Sequence, residues 1–189
     1  GIQIIPAAEL RGSMDDKTRE MQMLNEQKIN GFIKADNPRA KELMEFHHTA
    51  FYQLKKNFNN YSPQGTYLRK SVDELKITYT FLGVPKAFMT KSLGVAPFGA
   101  YHENGWDGAI QFFERNDIGT CSYSEHSLRL SKGGVRLAKE AVTYEINDKP
   151  TLIHVKGNNA SGYVYNLDWY DNEFAHSIEC VHKYYKPSI

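Results

Sequence analysis

The feature that most constrains this chain is a change in the period of its apolar residues near position 66. Before that point they recur at steps of three and four, and after it they alternate. A step of 3.6 lines one face of a helix, and a step of two lines one face of a strand. The chain is therefore expected to be helical first and β afterwards, which is an α+β order and not the alternation of a βαβ protein.

The helical part divides in two. Ser13 followed by Asp16 is a variant capping box, and Asn30-Gly31 is a stop signal, so a helix is predicted over Met14–Asn30. Its apolar stripe is thin (Met14, Met21, Leu24), which predicts a largely exposed helix. A second helix is predicted from Asn37 as N-cap and Pro38 at the first helical position. Ala40, Met44, His47, Phe51, Leu54 and Phe58 form its apolar face, and Asn59-Asn60 with Ser62-Pro63 ends it.

In the β part, Leu75, Ile77, Tyr79 and Phe81 alternate with polar residues and predict a strand. Further strands are expected at Gly108–Arg115, Thr120–Leu130, Ala141–Ile146, Thr151–Lys156, Tyr163–Trp169 and Phe174–Lys183. The segment Thr120–Leu130 changes phase between Tyr123 and Leu128, which suggests a bulge. Asn147-Asp148-Lys149-Pro150 is a turn signal. Residues 83–107 are rich in Gly and Pro but also apolar, so a long connection is expected there, with a short helix over Pro85–Leu93 ended by Gly94. Such a segment either covers one end of the sheet or walls an apolar pocket.

The expected fold class is thus α+β: two N-terminal helices packed on an antiparallel meander of about five to seven strands. Residues 1–12 are expected to be a flexible leader. Residues 13–189 form one domain, helical over 13–60 and mainly β over 66–189. A length of 189 residues suits a single domain with a real core.

Charge argues against one class of partner. Lys and Arg number 23 against 22 Asp and Glu, so the basic surplus of a nucleic-acid binder is missing. No apolar run approaches the length of a membrane span. The two cysteines, Cys121 and Cys180, both fall in β segments and belong to no C-x-x-C. They are either two buried thiols or a disulfide between neighbouring strands. A Cys121–Cys180 bond, and with it an extracytoplasmic setting, periplasmic or secreted, is the expectation.

Catalytic signatures are missing: there is no G-x-S-x-G, P-loop, G-x-G-x-x-G or H-E-x-x-H, and the Gly pair in Ser131-Lys132-Gly133-Gly134 lacks phosphate-loop spacing. His47 lies on the second helix's apolar stripe and reads as a core histidine, while His48 points elsewhere. His176 and His182 share a strand face but stand about 20 Å apart, too far to hold one ion, and read as exposed or edge histidines. Asp168, Asp171 and Glu173 surround a hairpin and read as a solvated turn. Tyr163, Tyr165, Leu167 and Trp169 read as core packing. Asn60-Tyr61-Ser62 and Asn159-Ala160-Ser161 match the glycosylation acceptor pattern.

The best local concentration of chemistry is His102-Glu103-Asn104-Gly105-Trp106-Asp107, where imidazole and carboxylates coincide with aromatic rings. Three functional readings follow. The first is a non-enzymatic binding or interaction domain that takes a small apolar ligand or another protein at a loop-lined pocket with Tyr101, His102 and Trp106 at its edge. The second is a small hydrolase-like enzyme with a dispersed site near His102, Glu103 and Asp107. The third is a structural or assembly protein. No metal or other cofactor is expected in any of them.

Overall fold

The computed structural model describes residues 2–36, 68–130 and 134–185. The expected second helix, with its stripe from Ala40 to Phe58 and with His47 and His48, lies outside these residues, as does Asn60-Tyr61-Ser62.

Helix α1 spans Met14–Asn30, as its capping signals predict. The Ser13 hydroxyl oxygen accepts from the Asp16 N–H at 3.1 Å. Gly31 closes the helix in the left-handed conformation, φ 86°, with its N–H on the Gln27 carbonyl. A side chain at this glycine would collide with the Tyr185 hydroxyl, so the stop is fixed by packing as well as by backbone freedom. None of the helix's residues is buried.

The rest of the described chain is mostly strand: β1 (Ile2–Ile5), β2 (Ile33–Lys34), β3 (Lys91–His102), β4 (Gly105–Arg115), β5 (Gly119–Ser127), β6 (Val135–Ala138), β7 (Val142–Ile146), β8 (Lys149–Asn158), β9 (Gly162–Tyr170) and β10 (Phe174–His182). Eight of them form one mixed sheet in the order β2-β8-β9-β10-β5-β4-β3, with β7 also on β8. β1 and β6 form a separate parallel ribbon. The expected fold class is therefore corrected. Among the described residues there is one α-helix, not two on a sheet, and the sheet is larger than five to seven strands and not wholly antiparallel, since β2 runs parallel to β8. Two antiparallel meanders, β3-β4-β5 and β7-β8-β9-β10, meet where β10 pairs with β5.

Three local expectations also change. The segment around Leu75–Phe81 is extended but not a strand; it touches the sheet's backbone through a single bridge, Ile77 to Trp106. Its alternation arises from one-sided burial: Phe81, with Leu75, Ile77 and Tyr79, packs on Val95 and Ala109 across the sheet's face. Residues 83–107 are not a long connection. A short 3-10 turn at Lys86–Phe88 leads into β3, and β3 and β4 form a hairpin turning at Glu103-Asn104. Gly94 and Gly99 fall at two register shifts in β3, between Ser92 and Gly94 and between Phe98 and Tyr101, while Pro97 pairs in register with Ala109. Finally, β5 pairs without a bulge on both sides, because Leu128 and Leu130 lie beyond its end.

The turn between β7 and β8 is as expected. Asn147 and Asp148 both have positive φ, 49° and 61°, the conformation of a two-residue type I′ hairpin.

The main core gathers on one face around Cys121, Cys180, Phe113, Val155, Tyr163 and Tyr165, with Phe32, Val84, Met89 and Tyr185 over it. Cys121 and Cys180 are directly opposed in the β5–β10 ladder, with Cα atoms 4.1 Å apart, and form a disulfide, S–S 2.13 Å. Val84 and Met89 thus cover one end of the sheet. Gln111 fastens this cover: its carbonyl oxygen accepts from the Val84 N–H at 2.7 Å.

Candidate functional site: a charged cluster at the seam of two meanders

The β5–β10 register places Glu125 opposite His176 and Tyr123 opposite Ile178, on the face that carries the disulfide. β9 brings Trp169 opposite His176 from the other side. The imidazole is stacked on the Trp169 ring, centroids 5.0 Å apart and planes 8° from parallel, with the Tyr123 ring at 6.2 Å. Only 13% of the His176 side chain is exposed. The expected edge histidine is therefore a half-buried residue in the middle of the sheet.

Both ring nitrogens are engaged. Nε2 lies 2.9 Å from Asp171 Oδ2. Nδ1 lies 2.8 Å from the Tyr123 hydroxyl oxygen, with Glu125 Oε2 at 3.5 Å. The Tyr123 hydroxyl donates its one hydrogen to Glu125 Oε2 at 2.5 Å, so the proton between Tyr123 and His176 must come from Nδ1. Nε2 in turn donates to the Asp171 carboxylate. The arrangement is that of an imidazolium between two carboxylates.

The electrostatics agree. Burial pushes the His176 pKa down, but hydrogen bonds to Glu125 and Asp171 and their charges outweigh it and hold the pKa above the ordinary value. Burial pushes Glu125 up, yet hydrogen bonds from His176 and Tyr123 leave it below the usual carboxylate range. Asp171 is likewise lowered: against burial stand the bond from His176 and the backbone N–H groups of Phe174 and Glu173, at 2.6 and 2.8 Å. Asp171 is therefore an anchor of the β9–β10 turn, not only a solvated turn residue. Burial, then Glu125, raises the Tyr123 and Tyr79 hydroxyls. Tyr79 reaches the cluster from the covering segment, its ring 4.8 Å from Phe174. Its buried hydroxyl faces Glu125 but makes no hydrogen bond of good geometry.

Both ring nitrogens of His176 are held by its own neighbours, so the cluster as it stands joins β5, β10 and the β9–β10 turn. Among the described residues no three His, Cys, Asp or Glu side chains converge as a metal site requires.

The hairpin that carries the residues nominated from sequence ends elsewhere. Tyr101 and Trp106 face each other across it, edge to face at 5.6 Å, and the Lys76 ammonium lies 5.8 Å from the Tyr101 ring. Asp107 is 3% exposed; its Oδ1 accepts from the Ala100 N–H at 2.9 Å and its Oδ2 lies 2.8 Å from His102 Nε2. Gly99, φ 83°, allows this bulge, because a Cβ there would strike the Asp107 carboxylate. His102 and Asp107 thus converge, while Glu103 stands exposed in the turn. Tyr163 and Tyr165 are core residues, as expected. His182 lies at the end of β10, where its Nδ1 accepts from the Tyr184 N–H at 3.0 Å.

Two clefts open along α1. One, of about 500 Å³, lies between the helix and the β7–β8 edge and is lined by Met21, Leu24, Ala141 and Ile153 among others. Its neighbour, of about 420 Å³, shares Met21 and is lined by Ala7, Ala8 and Met14. Neither is lined by Tyr101, His102 or Trp106.

Comparison of the chain with protein-family models, with curated proteins and with solved structures finds no match in any of the three. Among the described residues no helix is long and apolar enough to cross a membrane.

Proposed function

We propose that this chain is a non-enzymatic, extracytoplasmic binding domain that takes a small apolar ligand in the groove along α1. The observation that carries the reading is that α1 buries none of its 17 residues. Met21 is 39% exposed and Met14 74%, yet both line a groove with apolar walls on the opposite side. An apolar helix face bordering a space of this size is what a small-molecule site requires. Methionine adapts its shape to what it covers, and the polar groups of Asn25 and Thr143 at the larger cleft can orient a ligand.

The Cys121–Cys180 bond supports the extracytoplasmic part, because disulfides persist in oxidising compartments. The state of His176 supports the non-enzymatic part. A hydrolase-like site on His102, Glu103 and Asp107 has less support, since Asp107 is committed to the Ala100 N–H and His102, and Glu103 points into solvent. The hairpin tip with Tyr101, His102 and Trp106 is the competing surface for the same ligand class.

Ligand-observed NMR with a panel of small aromatic fragments tests this. Met21→Glu and Leu24→Glu should each weaken fragment binding by about tenfold or more, and Trp106→Phe should leave it unchanged. Loss of binding in Trp106→Phe alone would move the site to the hairpin tip. A wild-type protein that binds no fragment would end the binding reading.

A further inference from the structure

A third cleft, of about 810 Å³, lies beside the β1–β6 ribbon, and its lining differs in kind from that of the α1 groove. It is bounded by Ile2, Gln3, Leu10, Arg11, Val135 and Arg136, with Gly134. The ribbon's register sets Gln3 opposite Arg136. Two arginines therefore share one cleft whose described lining residues include no acid. It has no lining residue in common with the clefts along α1.

Neither arginine is paired: among the described residues no carboxylate, hydrogen-bond acceptor or ring engages Arg11 or Arg136. Two other arginines of the chain are engaged by carboxylates. Arg115 forms a two-pronged bond with Asp117, at 2.9 and 2.8 Å, and Arg19 lies 3.9 Å from Asp16. Two like charges on one cleft repel, and an anion between them relieves that repulsion. The guanidinium fork also matches planar and tetrahedral oxyanions in a way that ammonium does not. The apolar remainder of the lining, Ile2, Leu10 and Val135, would be left against water by a bare inorganic ion.

We propose that this cleft binds an amphipathic oxyanion, a phosphate or carboxylate group on an apolar body. Arg11 and Arg136 hold the charged head, the Gln3 amide adds a hydrogen bond, and Ile2, Leu10 and Val135 carry the apolar part. The site is independent of the α1 groove, so either can fail without the other.

Calorimetric titration with octyl phosphate, octanoate and inorganic phosphate tests the assignment. Octyl phosphate or octanoate should bind, and inorganic phosphate should bind more weakly, because it lacks an apolar body for the cleft to take out of water. Arg11→Gln and Arg136→Gln should each weaken the amphipathic anion by about tenfold, and the double variant should abolish binding. Arg19→Gln, which removes the same charge from α1 outside the cleft, should leave affinity unchanged and controls for net charge. All are surface substitutions, and unchanged melting temperatures will show that the variants fold. The proposal is overturned if neither amphipathic anion binds up to about 5 mM. It is also overturned if Arg19→Gln weakens binding as much as the cleft variants do, or if inorganic phosphate binds as tightly as octyl phosphate.

Discussion

His176 is the residue on which the most charge depends. Its imidazolium offsets Glu125 and Asp171, so removing it leaves two carboxylates facing a half-buried space. His176→Gln is expected to cost roughly 2–4 kcal/mol; Asp171 is 32% exposed, and solvent screening there trims the larger cost of breaking a fully buried pair. The pH dependence has a definite sign. Because the folded pKa of His176 is raised, its contribution is complete below the unfolded value of about 6.5 and is lost as pH rises through the folded value. Glu125 and Asp171 are lowered, so theirs is present above the unfolded values of about 4 and is lost as pH falls through the folded ones. The cluster is therefore strongest between about pH 4.5 and 6.5. Wild-type melting temperature should fall away on both sides of that window, and the His176→Gln profile should be flatter. Parallel profiles would show that the cluster does not set the pH response. Tyr79 gives a second, opposite test. Its buried hydroxyl lacks a well-formed bond, so Tyr79→Phe should be neutral or stabilising by up to about 1 kcal/mol. A loss of more than that in urea unfolding would mean that the hydroxyl does bond to Glu125. None of this cluster was legible in the sequence. Alternation places Tyr123 with Glu125, and Ile178 with His176, on common faces, but the register that joins the two strands is set by contacts about 50 residues apart.

At the scale of elements, α1 shows why a helix with no buried residue stays in place. Gln27 closes a gap along β8, where β7 pairs with one end and β2 with the other. Its side-chain amide donates to the Ile153 carbonyl at 2.7 Å and accepts from the Val155 N–H at 2.9 Å, as a neighbouring strand would. Glu26 adds a bond from the Lys34 N–H at 2.9 Å. Gln27→Ala leaves two backbone groups of the β8 edge without these partners and should cost about 1–3 kcal/mol. It should also speed amide exchange at Val155 and through α1; unchanged exchange would show that the helix is held by something else. The bounds of α1 were readable because capping is local: Ser13, Asp16 and Gly31 decide it within the helix's own sequence. The strands β8, β9 and β10 and the Asn147-Asp148 turn were readable for the same reason. The hairpin β3–β4 was not, because glycine and proline signal a connection locally, while here Gly94 and Gly99 sit at register shifts of a long strand and Pro97 pairs within it. The Leu75–Phe81 segment fails the other way. Alternation reports that one side of an extended chain is buried, and says nothing about whether its backbone pairs.

At the scale of the whole molecule, the sheet is two meanders sharing one seam. Within each meander neighbouring strands are also neighbours in sequence, but β5 and β10 are far apart along the chain, so their pairing carries most of the cost of closing the fold. Two devices hold this seam on the same face. The disulfide links Cys121 to Cys180 across 59 residues, and four residues further along each strand the Glu125–His176 pair bridges it again. That the cysteines would face each other across neighbouring strands was expected from their β context and the lack of any redox or metal motif. That their bond would fall on the junction of two substructures was not, because strand order is not written in local pattern. The position makes the bond's effect predictable. A loop of this length restricts the unfolded chain by about 4 kcal/mol in the chain-entropy model. Replacing both cysteines by alanine should therefore lower stability by roughly 2–4 kcal/mol, with a steeper urea dependence because the uncrosslinked denatured chain exposes more surface. Hydrogen exchange should rise first in β5 and β10, ahead of β8 and β9, since the seam loses its covalent tie while each meander keeps its local pairing. Exchange that rises evenly over all strands, or a midpoint shift worth less than about 1 kcal/mol, would show that the ladder and the charged cluster hold the two halves together without the bond.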